Sequence, residues 1–133
     1  MRNDKPNLIV DLTFCFSVKI IEYTELLESK RKYNLANQLF RSGTSIGANT
    51  WEAQDAESKA DFIPKFKIAA KEINETKYWL LLCQKVKSYP YPCALIEELD
   101  VIQKNSFQNF ILLEKVNFQI FKLPDHQINY HVR

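Results

Sequence analysis

Apolar residues recur at helical spacing through most of the chain. At about 100° per residue, Leu12, Phe16, Ile20, Tyr23 and Leu27 share one face of the first segment, the pattern of a helix turned toward a core. Segments of this kind run near Leu8 to Glu28, Tyr33 to Ala56, Asp61 to Lys87 and Pro92 to Gln119. The breaks between them carry stop and start chemistry: Ser29 with Lys30, Arg31 and Lys32; Ser58 three residues before Asp61; Pro90 and Pro92. Pro64 is costly deep in a helix, so Asp61 is expected as N-cap with Pro64 in the first turn. Short connections make successive helices antiparallel neighbours. The pattern therefore predicts an all-α, up-down-up-down four-helix bundle over residues 1–121, followed by an irregular tail over 122–133 that holds Pro124, His126 and His131.

Two helices carry more apolar surface than one core needs. Val10, Phe14, Val18 and Ile21 form a second line roughly opposite the core face of the first helix. In the third, Phe62, Phe66, Ala69, Ala70, Ile73 and Leu80 face the core while Ile68, Trp79 and Leu82 point the other way. Contiguous exposed apolar patches mark interfaces, so self-association through these outer faces is expected. Neighbouring helices around such a helix, or singly scattered apolar residues, are the alternative. Gly43 and Gly47 fall on the core side of the second helix, where each costs about 1 kcal/mol relative to alanine, which predicts close helix approach. A phosphate-cradling loop needs Lys after its last glycine, and Ala48 and Asn49 stand there instead.

Composition narrows the function more than the fold. Two glycines in 133 residues leave almost no turn formers for an all-β chain. Cys15, Cys83 and Cys93 form no CxxC pair; Cys15 and Cys83, within apolar helices, are expected as small hydrophobes. No export signal or membrane span is expected, which fits a cytoplasmic protein with no membrane partner. With both histidines in the tail, the bundle lacks imidazole for metal ligation or nucleophile activation. Glu72 and Glu75 beside Lys65, Lys71 and Lys77 fit a charged surface better than an acid/base pair. No enzyme activity, cofactor, metal or small-molecule substrate is expected. The net charge is only +2, yet Lys67, Lys71, Tyr78 and Lys85 align on one side of the third helix, and an oligomer would repeat that basic stripe. A solvated lysine face is the alternative.

The stretch from Arg41 to Leu82 resembles the bacterial four-helix bundle proteins of the ribosomal intervening-sequence family, with the related accessory variability determinant proteins of diversity-generating retroelements. The resemblance rests on Arg41-Ser42-Gly43-Thr44-Ser45-Ile46-Gly47-Ala48-Asn49, Glu52-Ala53, Ser58, Asp61-Phe62, Lys65, Ile68-Ala69, Lys71-Glu72, Glu75 and Tyr78-Trp79-Leu80. It implies an antiparallel bundle assembled as a ring-like homopentamer without enzymatic activity, encoded within large-subunit ribosomal RNA genes or acting beside a reverse transcriptase, and binding nucleic acid through a basic surface. Arg41, Lys65 and Lys71 lie on matched positions and are the implied nucleic-acid contacts. Docking of a protein partner without nucleic acid is the competing expectation.

Overall fold

The computed structural model describes residues 8–55 and 59–106. Three long helices, α1 (Leu8–Ser29), α2 (Tyr33–Gln54) and α3 (Lys59–Lys85), are followed by a fourth, α4, described over 95–106. The remainder of the expected fourth segment, Ser58 and the tail with His126 and His131 lie outside the described residues.

Each connection has a local cause. At the end of α1 the chain turns through a left-handed Arg31 (φ 63°), with Lys32 N–H donating to the Leu27 carbonyl and Arg31 N–H to that of Glu28, both at 2.9 Å. This is the Schellman closure usually made by glycine, here made by arginine. Before α4, Leu95 N–H donates to the Pro92 carbonyl at 3.1 Å across a turn with Cys93 at φ 53°. Pro64 lies inside α3, five residues past Lys59, and Asp61 sits in the first turn instead of capping it. The helix thus starts earlier than expected. Pro64 is exposed, so its ring faces water while the i→i−4 bond it cannot donate is lost.

Cross-helix contacts fix the order. Gly43 meets Ile20 and Gly47 meets Ser17 and Thr13, so α1 and α2 run in opposite senses. Lys65 with Glu52 and Thr76 with Ser42 do the same for α2 and α3. Asn74 with Gln103 and Lys77 with Asp100 orient α4 against α3, and Lys19 with Glu98 orients it against α1. The result is the expected all-α antiparallel bundle. Its core joins Phe16, Ile20 and Leu27 of α1, Leu39 and Ile46 of α2, Ile73 and Leu80 of α3, and Leu99 and Ile102 of α4. One polar link crosses it, where the Thr76 hydroxyl donates to Ser42 Oγ at 2.9 Å.

The expected close approach lies between α1 and α2. A Cβ at Gly43 would stand 2.9 Å from Cγ1 and Cγ2 of Ile20, and one at Gly47 2.9 Å from Ser17 Oγ and 3.1 Å from the Thr13 carbonyl oxygen. Both glycines are therefore explained by packing.

Candidate functional site

Helix α3 presents its polar side outward because Phe66, Ala69, Ile73, Thr76, Leu80 and Cys83 turn its other side into the core. On the outer side Lys67, Lys71, Tyr78 and Lys85 are all exposed. From Lys67 to Lys85 the stripe spans about 27 Å along the helix axis. The two other expected nucleic-acid contacts lie elsewhere. Lys65 turns toward α2, where its ammonium meets Glu52 at 2.7 Å. Arg41 lies on α2 at a groove of about 390 Å³ between α2 and α3, shared with Phe40, Thr44, Glu72 and Glu75. Burial pushes the Glu72 carboxyl above its ordinary value, and the Glu75 charge adds to this, while Arg41 and Lys71 pull it back. Glu75 also accepts the Trp79 indole N–H at 3.1 Å. The groove is thus a mixed-charge notch in which Arg41 and Lys71 both act on the Glu72 carboxyl, and the line of Lys67, Lys71, Tyr78 and Lys85 runs past it along α3. Lys65 and Lys77 pair with Glu52 and Asp100, and not with Glu72 or Glu75.

The expected outer apolar line of α1 is present with one correction. Phe14, Val18 and Ile21 are exposed, Phe14 by 58%, but Val10 is 2% exposed and belongs to the core. Val10 leans toward α2, which comes close enough at Gly47 to cover it; both border a cleft of about 210 Å³ with Phe14 and Trp51. Trp51, absent from the sequence-level line, extends the face onto α2, its ring centroid 6.5 Å from that of Phe14. The signal lay in its place one helical turn after Gly47.

On α3 the outer apolar line is weaker than expected. Ile68 is exposed, whereas Leu82 is half-buried and Trp79 packs against the core. Cys83 is buried as expected, but Cys15 is exposed on the outer side of α1 and is no core residue.

A second cluster lies beneath the α3–α4 connection. Tyr23 is buried and donates its hydroxyl to the Pro90 carbonyl at 2.5 Å. Burial pushes the Tyr23 phenol well above its ordinary value, with the neighbouring Cys83 thiol adding to the effect, and burial raises that thiol as well. Both are neutral packing groups at physiological pH.

Among the described residues, no group of three or more His, Cys, Asp or Glu is placed to hold a metal ion. No described helix is long and apolar enough to cross a membrane.

Comparison with known proteins gives this bundle its relatives. No curated protein matches the chain. A crystal structure from Bacteroides thetaiotaomicron VPI-5482, of a protein with unknown function from the S23 ribosomal protein family, is 36% identical with a TM-score of 0.74, covering 79% of this chain and 96% of that one. The model of the 23S rRNA-intervening sequence protein family matches residues 6–113, which takes in every described helix. A family match over most of the length, together with a similar bundle at that identity, establishes that the chain belongs to the 23S rRNA-intervening sequence protein family.

Proposed function

We propose that this protein is a non-catalytic homo-oligomer, pentameric by resemblance, that binds RNA or a nucleoprotein through repeated basic surfaces. The observation that carries the reading is the exposed line of Lys67, Lys71, Tyr78 and Lys85 on α3. One such line per chain is modest; each phosphate contacted releases counterions, so repetition around a symmetric assembly multiplies the effect. The face of Phe14, Val18, Ile21 and Trp51 supplies apolar surface for self-association. Lys65 contributes less, because its ammonium is paired with Glu52. The resemblance to retroelement accessory proteins makes a reverse transcriptase ribonucleoprotein one form the partner takes.

Light scattering across salt, with and without a pool of short RNAs, tests both parts. The expected result is a mass near five times 15.7 kDa that rises when RNA is added at low salt. Lys67→Glu with Lys71→Glu abolishes the rise and flattens the dependence of affinity on log salt. A stable monomer refutes the assembly, and RNA affinity indifferent to salt and to both substitutions refutes the binding surface. The same apolar face favours a second reading, an adaptor that docks a protein without touching nucleic acid. Capture of a partner that survives high salt and nuclease treatment distinguishes it.

A further inference from the structure

The antiparallel order brings two connections to one end of the bundle: the α1–α2 turn and the α3–α4 loop. They pack on each other, with Lys32 Nζ 5.0 Å above the Tyr89 ring and Tyr23 of α1 holding the Pro90 carbonyl. Between them they carry Lys30, Arg31, Lys32, Lys85 and Lys87. The chain has no Asp or Glu from Ser29 to Trp51 or from Thr76 to Ile96, so the connections lie within acid-free stretches, the first between Glu28 and Glu52 and the second between Glu75 and Glu97. The ion pairs of the described helices engage Lys19, Lys65 and Lys77 and none of these five cations. Left-handed Arg31 keeps three successive basic residues in one tight turn. Two aromatic rings stand out into water at the same end: Tyr91 is 61% exposed and Tyr33 55% exposed. Gln84 Nε2 donates to Tyr91 Oη at 3.3 Å, which ties that ring to the last turn of α3 beside Lys85.

Clustered cations bind a phosphate backbone, and exposed rings with a free face stack on bases that are not already stacked in a duplex. From this juxtaposition we infer that the end formed by the α1–α2 turn and the α3–α4 loop is a binding site for single-stranded RNA, with Lys30, Arg31, Lys85 and Lys87 on phosphates and Tyr91 stacked on a base. The inference rests on the nucleic-acid reading above and deepens it: it names the strandedness of the ligand and adds a second binding region, which the α3 stripe joins at Lys85. Duplex RNA meets the cations but offers no unstacked base to Tyr91.

The test is fluorescence anisotropy with a labelled 12-nucleotide single-stranded RNA and a 12-base-pair RNA duplex, using the full chain. Tyr91→Ala is expected to weaken single-strand binding about tenfold, as loss of one stacked base does, and to leave duplex binding unchanged. Tyr91→Phe, which keeps the ring, binds as the wild type does. Lys30→Gln with Lys87→Gln reduces the slope of log affinity against log salt by about 1.4, at about 0.7 for each single-strand phosphate that is no longer neutralised. Tyr91 is exposed, so unchanged melting curves verify that the variants remain folded.

If these variants bind normally while Lys67→Gln with Lys71→Gln weakens binding, this end is not the site and the α3 stripe stands alone. Equal loss on single strand and duplex also overturns the inference. If the wild type binds neither RNA at low salt, the nucleic-acid reading falls as well.

Discussion

Gly43→Ala tests the α1–α2 seam through the sign of its effect. On an exposed helix this substitution raises stability by about 1 kcal/mol. Here the new methyl carbon would lie 2.9 Å from two Ile20 carbons and 3.1 Å from a third. Ile20 is fully buried, and branching at Cβ fixes its χ1, so it cannot swing aside. Overpacking of this kind costs about 1–3 kcal/mol, which cancels or outweighs the propensity gain and leaves a net loss of about 0–2 kcal/mol. Ile20→Ala alone removes the obstructing atoms at a cost of about 2–5 kcal/mol for the cavity. In that background Gly43→Ala should stabilise by about 1 kcal/mol, because the methyl now enters vacated space. Urea unfolding of the four proteins at one fixed chain concentration measures the cycle. Stabilisation by Gly43→Ala in the wild type refutes the seam, as does additivity within about 0.5 kcal/mol.

Other expectations follow from features already described. Arg31→Gly relieves a left-handed arginine worth about 1–2 kcal/mol, less the greater freedom of glycine in the unfolded chain, so the melting temperature should rise by a few degrees; a fall would mean that Arg31 makes a contact outweighing its strain. Thr76→Val strands the buried Ser42 hydroxyl and should cost about 1–3 kcal/mol, much of it recovered by adding Ser42→Ala, and denaturant curves that show no recovery would refute the pairing. Tyr23 and Cys83 both have their pKa raised by burial, so the stability they contribute is complete below the unfolded values of 9.0 for the thiol and 10.0 for the phenol and is lost as pH rises beyond them. Melting temperatures should therefore drop above pH 9, and Tyr23→Phe should flatten the part of the fall beyond pH 10; an unchanged slope would remove Tyr23 from the account. The raised pKa of Glu72 works the same way at lower pH, with stability present below 4.5 and lost as the carboxyl ionises. Glu72→Gln should therefore gain on the wild type at pH 7 and lose that advantage near pH 4, as thermal melts at the two pH values would show.

Helices and core faces were legible because helical periodicity is a local property: Phe16, Ile20 and Leu27 lie where the 100° count places them. What the count does not contain is which flank of a helix its neighbour occupies. Val10 and Phe14 differ by only 40° on the wheel, yet α2 covers one and leaves the other in water. Cys15, one residue beyond Phe14, escapes coverage on the opposite flank. The pairing of Lys65 was not legible because its partner, Glu52, lies across the α2–α3 connection and not on its own helix. The basic runs at Lys30 to Lys32 and Lys85 to Lys87 are plain in the sequence, but their meeting depends on topology, which joins segments more than fifty residues apart. Trp51 escaped notice because its importance comes from Phe14 on another helix.

The glycine seam also decides where α1 can rest along α2. Slipping by one turn, about 5.4 Å, in one direction would set Ile20 over Gly47 but push Ser17 against Trp51. The opposite slip would move Ser17 over Gly43 and drive Ile20 into Leu39. Either offset leaves one of the two α1 side chains over a glycine and drives the other into a large residue of α2. Because the chain has only two glycines, both in this helix, no competing notch exists at another helix pair. Their scarcity therefore acts as a key, selecting one alignment of two otherwise slippery apolar helices.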